Sequence, residues 1–230
     1  MKKNSKKIIT LILIIISLAF FIKNEFNSET NFVSYESSEN IPDYSGSSYV
    51  ILDNNEPNFG NLDTSKSYEV YEELDKLNRA TLAYANIGYD LMPSEKRKSI
   101  GMIKPSGWHT IKYDIIDGKY LYNRCHLIGY QLTGENANPN NLITCTRQMN
   151  AKSMLEFENQ VADYIRETKN HVLYRVTPIY DNNDLLAKGV IMEAKSVEDN
   201  GEKIKFKVFV YNVQDGIKID YTNGESTLDE

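Results

Sequence analysis

The amino-acid sequence predicts an α+β domain built on a mixed, mainly antiparallel sheet. Three runs near the C-terminal end, 172–180, 189–194 and 204–213, are typical of strands, and short polar turns separate them. Before them, the apolar residues of 153–168 recur with the period of an amphipathic helix. At 230 residues the chain can bury one good core, and it contains no visible internal repeat.

Further strands are predicted upstream of the helix. Residues 49–52 form a short apolar run, and residues 80–85 alternate like a strand that lies beside a core. Residues 108–113 are also predicted to be a strand. The dipeptide at 117–118, Asp-Gly, is a strong signal for a hairpin turn that leads into the next strand.

The first 23 residues predict a targeting segment. Four lysines lie within the first seven residues, and an apolar run of residues 8–22 follows them. This pattern is typical of a signal peptide or an N-terminal membrane anchor, and both interpretations stay open because no small-residue cleavage pattern follows. Either one predicts an extracellular domain, secreted or anchored to the outer face of the membrane. Residues 24–47 are predicted to be a flexible polar spacer, and residues 48–230 the folded domain.

Charge alone does not indicate a nucleic-acid-binding protein. The formal net charge is −6, whereas such proteins are often strongly basic. The distribution is uneven, however, because residues 93–175 contain twelve basic and eight acidic side chains and so carry a net +4. The acidity therefore lies mainly outside the central part of the chain.

The central segment, 119–150, contains the residues that indicate chemistry. Its pattern predicts a strand, a polar loop, a strand and a helix, and His126 ends the first strand. A histidine can take a proton from water near neutral pH, although a single histidine often has only a structural role. Arg124 precedes His126 by two residues, so both side chains point to the same face of a strand. The planar guanidinium of Arg124 can bind two phosphate oxygens at once. The structural alternative is that Arg124 forms an ion pair on the surface of the sheet.

Asn150 and Glu158 are candidates for holding a metal ion and a water molecule. A neutral amide oxygen suits Mg²⁺, which keeps most of its waters, and a polyanionic substrate supplies the missing negative charge. In one continuous helix the two residues would stand about 12 Å apart along the axis. Ser153 and Glu156 fit a capping box, so we expect the helix to begin there and Asn150 to lie in an irregular turn. The structural alternatives are that Asn150 only helps to form a turn and that Glu158 is a solvated charge on the surface of the helix.

Four short motifs follow one another in this region: Asn123-Arg124-Cys125-His126, Asn141-Leu142-Ile143-Thr144, Met149-Asn150 and Phe157-Glu158-Asn159. Over about residues 49–226, the ordered set resembles the DNA/RNA non-specific endonucleases with a ββα-metal active site. Within that family it is most similar to the secreted streptococcal-type DNases and the DNA-entry nucleases. The family signature is Asp-Arg-Gly-His, so Asn123 replaces the aspartate and Cys125 the glycine. Neither change removes the expected base or the arginine, and we still expect activity.

The resemblance implies hydrolysis of internal phosphodiester bonds in DNA, and in RNA as a further substrate. It implies Mg²⁺ as the cofactor, with Mn²⁺ as the alternative, and no small-molecule cofactor. His126 resembles the general base, Asn150 the single protein ligand of the metal, and Glu158 the residue that orients metal-bound water. Arg124 resembles the arginine near the phosphate, and Asn141 resembles the asparagine that shapes the site. We expect a monomer whose partner is DNA, with membrane contact only if the N-terminal segment stays uncleaved.

Roles are also predicted for four basic residues, the two cysteines and the two other histidines. Four basic residues are expected to hold the DNA backbone: Lys96, Arg97, Lys98 and Arg147. In an oxidising compartment two cysteines usually pair, so Cys125 and Cys145 are expected to form a disulfide, with two separate buried thiols as the alternative. His109 and His171 are interpreted as structural.

Two other functions compete with the nuclease. One is a membrane-tethered nucleic-acid-binding component of DNA uptake with weak or no catalysis. The other is a plain binding or structural domain of the cell surface. The first is disfavoured by the presence of His126, Arg124 and Asn150, and the second predicts no cation dependence and no retention of DNA.

Overall fold

Six antiparallel strands form the main sheet, in the order β1-β8-β7-β6-β3-β2. A computed structural model describes residues 38–229, and residues 38–58 and 63–229 form one compact unit. Two further pairs, β4–β5 and β9–β10, form small two-stranded sheets. The strands are β1 Tyr49–Ile51, β2 Tyr68–Tyr71, β3 Ala83–Ile87, β4 Tyr122–His126, β5 Leu142–Thr146, β6 Val172–Ile179, β7 Gly189–Ser196, β8 Lys205–Tyr211, β9 Ile217–Ile219 and β10 Ser226–Leu228.

Among residues 38–229, helical structure is sparse and is concentrated after the central segment. The α-helices are α1, Tyr130–Thr133, and α2, Leu155–Thr168, and a π-helical turn, Met149–Met154, leads directly into α2. Short 3₁₀ turns lie at Ser38–Asn40, Asp53–Asn55, Tyr89–Leu91 and Pro139–Asn141. The predicted class, a mainly antiparallel α+β fold, is confirmed by this arrangement.

Helix α2 covers one face of the main sheet and closes the principal core. Its apolar stripe is buried as predicted, with Phe157, Val161 and Ile165 inside the same cluster as Tyr174 and Phe206 of the sheet. The Phe157 and Phe206 rings pack with their centroids 4.9 Å apart. Burial of this stripe is what keeps the helix, and therefore the residues at its start, in a fixed position against the sheet.

The buried side chain of Asn212 helps to tie the small β4–β5 sheet to the main sheet. Asn212 follows β8, and its Oδ1 accepts a bond of 2.8 Å from the Thr146 backbone N–H. Its Nδ2 donates to the carbonyls of Thr144, at 3.3 Å, and Ala187, at 2.9 Å. Within the pair, His126 lies opposite Leu142 and Arg124 opposite Thr144. The strand that carries the candidate base is therefore held in register by its neighbour.

Two local predictions differ from the structure. Residues 108–113 are not a strand, because only Lys112 forms a bridge, with Tyr120, and the ring of Trp108 instead packs beneath Arg124. The prediction of a capping box is wrong as well. Ser153 is buried within the π-helical turn, and no side chain caps the start of α2. Burial of Met149 and Met154 in the main core extends the apolar face of the helix upstream and outweighs the local capping pattern.

The last residues of the predicted spacer, 38–47, contact the folded domain. Ile41 is buried against the sheet, and the Tyr211 hydroxyl donates to the Pro42 carbonyl at 2.5 Å. Residues 38–47 therefore pack on the folded domain, whereas the predicted targeting segment, 1–23, and residues 24–37 lie outside the described residues. Within residues 38–229, no helix combines the length and apolar character that crossing a membrane requires.

Cys125 of β4 and Cys145 of β5 are paired as a disulfide, with their Cα atoms 5.9 Å apart. Both side chains are fully buried. The bond joins the strand of His126 to its partner strand and restricts the separation of the two.

Reduction of this disulfide is expected to destabilise the domain. The cysteines are 20 residues apart, and a loop of this size contributes about 3 kcal/mol to the free energy of unfolding. Urea unfolding of the oxidised and the dithiothreitol-reduced protein measures the difference. Thiol titration of the denatured, non-reduced protein should find no free thiol, and two reactive thiols would contradict the bridge.

Candidate active site

His126 ends β4 with only 6% of its surface exposed. Its Nε2 lies 2.8 Å from the Asn136 carbonyl oxygen, and its Nδ1 lies 3.3 Å from Nη2 of Arg97. A carbonyl can only accept and a guanidinium can only donate, so the proton sits on Nε2 and the lone pair on Nδ1. Burial lowers the pKa of His126 to about 4; the bond to Asn136 raises it and the charge of Arg97 lowers it. The imidazole is therefore neutral at pH 7, and its lone pair on Nδ1 faces Arg97.

Arg124 is a fixed positive charge two residues upstream. Its Nε donates to the Ile103 carbonyl, and its Nη2 donates to the Gly101 carbonyl at 2.9 Å. The guanidinium also stacks over the Trp108 ring, 3.8 Å from its centroid. Burial lowers the pKa of Arg124, but a guanidinium stays charged at neutral pH.

A cleft of about 470 Å³ brings four of the predicted residues together, Arg97, Arg124, Arg147 and Asn150. His126, Asn141 and Glu158 are not part of its wall, and His126 is linked to it through the contact with Arg97. Three arginines and two asparagines contribute to its wall, a composition that attracts anions and can bind phosphate oxygens in pairs. Aromatic rings supply much of the remaining wall. The lining residues are Arg97, Ile100, Trp108, Thr110, Tyr120, Tyr122, Asn123, Arg124, Arg147 and Asn150.

Asn150 enters this cleft from the π-helical turn, not from an irregular loop. The helix is continuous from 147 to 168, and its π-helical turn changes the angular position of the residues before α2. The expectation that Asn150 precedes the helix is therefore wrong, although its side chain still reaches the cleft. A π-helical turn inside an α-helix is frequent at functional sites.

Glu158 lies two turns further along, on α2. Its carboxyl end lies against Gly129, where an added Cβ would stand 2.5 Å from Oε2. Burial of this group raises the pKa of Glu158 to about 7, while Gln131 and the charge of Arg97 both lower it. Arg97 thus acts electrostatically on both His126 and Glu158.

Asn141 shapes the chain that follows His126. It is fully buried, and its Oδ1 accepts from the Ile128 backbone N–H at 2.9 Å. Its Nδ2 donates to the Ile128 carbonyl at 3.1 Å, and its own carbonyl accepts from Leu127 N–H at 2.9 Å. The side chain of Asn141 therefore forms hydrogen bonds with both the backbone N–H and the backbone carbonyl of buried Ile128, two residues after the candidate base.

The predicted backbone-binding residues divide into two groups. Arg97 and Arg147 line the cleft, and Arg147 also pairs with Asp117 at 3.2 Å. Lys96 and Lys98 are exposed in the adjoining loop and are not part of the cleft wall, and Lys98 lies 3.7 Å from Glu95.

The two other histidines contact other groups. His109 contacts the Asn223 carbonyl at 3.0 Å, and His171 contacts Glu198 at 2.7 Å. Neither lines the cleft.

Sequence reasoning missed three parts of the site. These are the Asn136 carbonyl, the Trp108 ring beneath Arg124, and the close approach of Gly129 to Glu158. The first is a backbone atom and leaves no signal in residue type. The ring and the glycine are unusual residue types, but their roles depend on contacts between distant segments.

The chain is similar to a known nuclease family and to solved nuclease structures. The family model described as DNA/RNA non-specific endonuclease matches residues 60–198. The chain is similar to the crystal structure of NucA from Streptococcus agalactiae with magnesium ion bound, at 28% identity and a TM-score of 0.73, covering 84% of this chain and 94% of that one. It is also similar to the Sda1 nuclease with bound zinc ion, at 29% identity and a TM-score of 0.59, covering 70% of this chain and 82% of that one.

A further structure, described as an extracellular endonuclease, shares the fold at 24% identity with a TM-score of 0.56 and covers 71% of this chain and 87% of that one. Together with the β4, β5 and α2 arrangement, these similarities confirm the predicted ββα-metal fold. The chain belongs to the DNA/RNA non-specific endonuclease family.

Proposed function

We propose that this protein is an exported, metal-dependent endonuclease that hydrolyses phosphodiester bonds in DNA, and in RNA, without base specificity. His126 is the general base, and Asn150 is the protein ligand of one hydrated Mg²⁺. The observation that carries the proposal is the neutral His126, with its tautomer fixed by Asn136, beside a cleft that contains Arg124 and Asn150. Endonuclease activity itself follows from the family.

The donors in the cleft fit a hydrated divalent ion. Among residues 38–229 there is no group of three His, Cys, Asp or Glu side chains that could hold a metal. The amide oxygen of Asn150 is a hard ligand, which suits Mg²⁺ with its retained waters better than it suits Zn²⁺. NucA with magnesium and Sda1 with zinc support a divalent ion, and Mn²⁺ is the alternative with a similar ligand preference. When bound, the ion supplies Lewis-acid stabilisation of the charge on the scissile phosphate and the leaving oxygen.

Three side chains, His126, Arg124 and Glu158, have separate roles in the proposed reaction. Nδ1 of His126 takes the proton from the attacking water, and the bond from Nε2 to Asn136 orients the ring and stabilises the imidazolium that forms. Arg124 supplies a fixed positive charge for the phosphate because two carbonyls and Trp108 hold it in place. Glu158 orients water in the site. These contacts involve the sugar–phosphate backbone, which is the same for every base.

Export is supported by two independent features. The first 23 residues combine lysines with an apolar run, which is typical of a secretory signal or an anchor. The disulfide between Cys125 and Cys145 is typical of proteins in oxidising compartments. Both features favour a location outside the cytoplasm.

Substitution of the base is expected to remove almost all activity. The His126→Ala variant should cleave plasmid DNA about 10³-fold more slowly, because general base catalysis typically contributes 10²–10⁴-fold. The His109→Ala and His171→Ala variants are controls for the base substitution and should keep near-native rates.

The metal ion gives a separate expectation. EDTA should abolish cleavage by the native protein, and Asn150→Ala should raise the Mg²⁺ concentration needed for half-maximal rate. Cleavage of DNA and RNA that persists in EDTA would exclude the metal-dependent mechanism.

The ionisation of His126 gives a second expectation. Its pKa of about 4 in the metal-free folded protein lies below the ordinary value of 6.5. As the pH falls, the unfolded chain therefore takes up the proton first, so the contribution of this group to stability is full above pH 6.5 and is lost towards pH 4. An NMR titration of the ring, assigned with His126→Gln, measures this pKa directly. A value at or above 6.5 would contradict the buried, neutral base.

Binding of nucleic acid should depend on salt through the basic residues. For native protein in EDTA, the logarithm of the binding constant should fall linearly with the logarithm of salt concentration. Charge reversal at Lys96, Arg97, Lys98 and Arg147 should flatten that slope by about one unit for each phosphate that the protein no longer neutralises. Charge reversal at Lys203, an exposed lysine outside the cleft, is the control. An unchanged slope in the fourfold variant would remove these residues from the binding surface.

A further inference from the structure

We propose that Arg97 caps the proton-accepting nitrogen of His126 in the free enzyme and uncaps it when a substrate phosphate draws the guanidinium away. Arg97 is then a positioning residue that makes the base available only in the presence of a polyanionic chain. This inference rests on the proposed function, because it concerns the same base. It goes further by assigning Arg97 a role that backbone binding alone does not include.

Both nitrogens of the His126 ring are occupied. Nε2 carries the proton and donates to Asn136, so Nδ1 is the one atom of the ring that can receive another proton. An N–H of Arg97 points at that lone pair from 3.3 Å. A general base must present its lone pair to the water that it deprotonates. In this state the lone pair is already engaged, and the arginine has to leave before the base can act.

The contact is suited to being broken. At 3.3 Å it is longer than a typical N–H hydrogen bond, and the acceptor is a neutral nitrogen. A phosphate offers the same guanidinium two parallel bonds to charged oxygens, whereas His126 offers a single neutral nitrogen. The exchange from His126 to phosphate is therefore favourable once a substrate phosphate reaches the cleft that Arg97 lines.

The supporting chain also differs from that of the other central arginine. Arg97 is exposed and lies in residues 92–99, a stretch without helix or strand. The stretch is anchored by the Tyr130 hydroxyl, which donates to the Glu95 carbonyl at 2.9 Å, and by the buried Ile100 that follows it. Arg124, in contrast, is fixed by two carbonyls and an aromatic ring. The cleft thus combines one immobile arginine with one that can change partner.

The charge of Arg97 strengthens the coupling. Beside His126, the guanidinium opposes the formation of an imidazolium and so lowers the pKa of the ring. When its charge is paired with a phosphate, that opposition weakens and the ring becomes a better proton acceptor. The bond to the Asn136 carbonyl also favours the imidazolium. Base strength and substrate occupancy would therefore rise together.

The cap implies a preference for a chemical class of substrate. A polynucleotide presents several phosphates, so one can bind Arg97 while another lies at the centre of reaction. A small diester such as bis(4-nitrophenyl) phosphate has a single phosphate and cannot do both. The enzyme should therefore discriminate against isolated diesters by leaving its base capped, in addition to any difference in binding.

The decisive test compares Arg97→Ala on the two substrates at pH 8 with Mg²⁺. The cap predicts changes of opposite sign: kcat for bis(4-nitrophenyl) phosphate should rise about tenfold, while kcat/KM for plasmid DNA should fall. A residue that only binds phosphate predicts a fall with DNA and no rise with the small diester, and that result would overturn the proposal. Lys104→Ala, which removes an exposed cation outside the cleft wall, is the matched control and should change neither rate.

A second measurement does not depend on catalysis. In the ¹⁵N NMR spectrum of the protein in EDTA, addition of duplex DNA should shift the His126 Nδ1 signal as the hydrogen bond from Arg97 breaks. The Arg97→Ala variant should show the shifted position without DNA. A Nδ1 signal that DNA leaves unchanged in the native protein would overturn the cap. If the native protein cleaved neither substrate but the DNA-induced shift was present, the proposed function would fail while the cap would stand.

Discussion

The buried amide of Asn212 joins the small β4–β5 sheet, which carries His126, to the main sheet. Its three hydrogen bonds reach Thr144 and Thr146 of β5 and the Ala187 carbonyl before β7. A buried amide of this kind is costly to leave unpaired, so the two sheets are held at one relative position. The pairing of β4 with β5 therefore also fixes the position of His126. The chain that continues from β5 into the helix fixes the position of Asn150.

The helix contributes the second fixed reference. Its apolar stripe holds α2 on the main sheet, while the π-helical turn before it directs Asn150 into the cleft. Asn150 and Glu158 are therefore two positions on a single rigid element, and their separation does not depend on a flexible loop. The proposed roles of Asn150 as metal ligand and Glu158 as a water-orienting group would benefit from this arrangement, because sites on regular elements are more precise than sites on loops.

The sequence predicted the fold class, the C-terminal strands and the buried stripe of α2, because each has a periodic apolar pattern. It also identified the ordered motifs around His126, Asn141, Asn150 and Glu158. It did not predict the helix start, since the burial of Met149 and Met154 is a tertiary effect that overrides the capping pattern at Ser153. Nor could it predict the Asn136 carbonyl or the contact from Arg97 to His126, because both depend on how separate loops meet.

The disulfide beside His126 has a consequence for the cell that makes the enzyme. A non-specific nuclease is a hazard to its producer as long as it remains near the chromosome. Cysteines ordinarily stay reduced in a cytoplasm, so Cys125 and Cys145 of an exported chain would pair only after the chain leaves it. On the proposed export route, the strand that carries the base gains its covalent restraint only outside the cytoplasm. Maturation of the site is thereby separated in space from the producer's own genome.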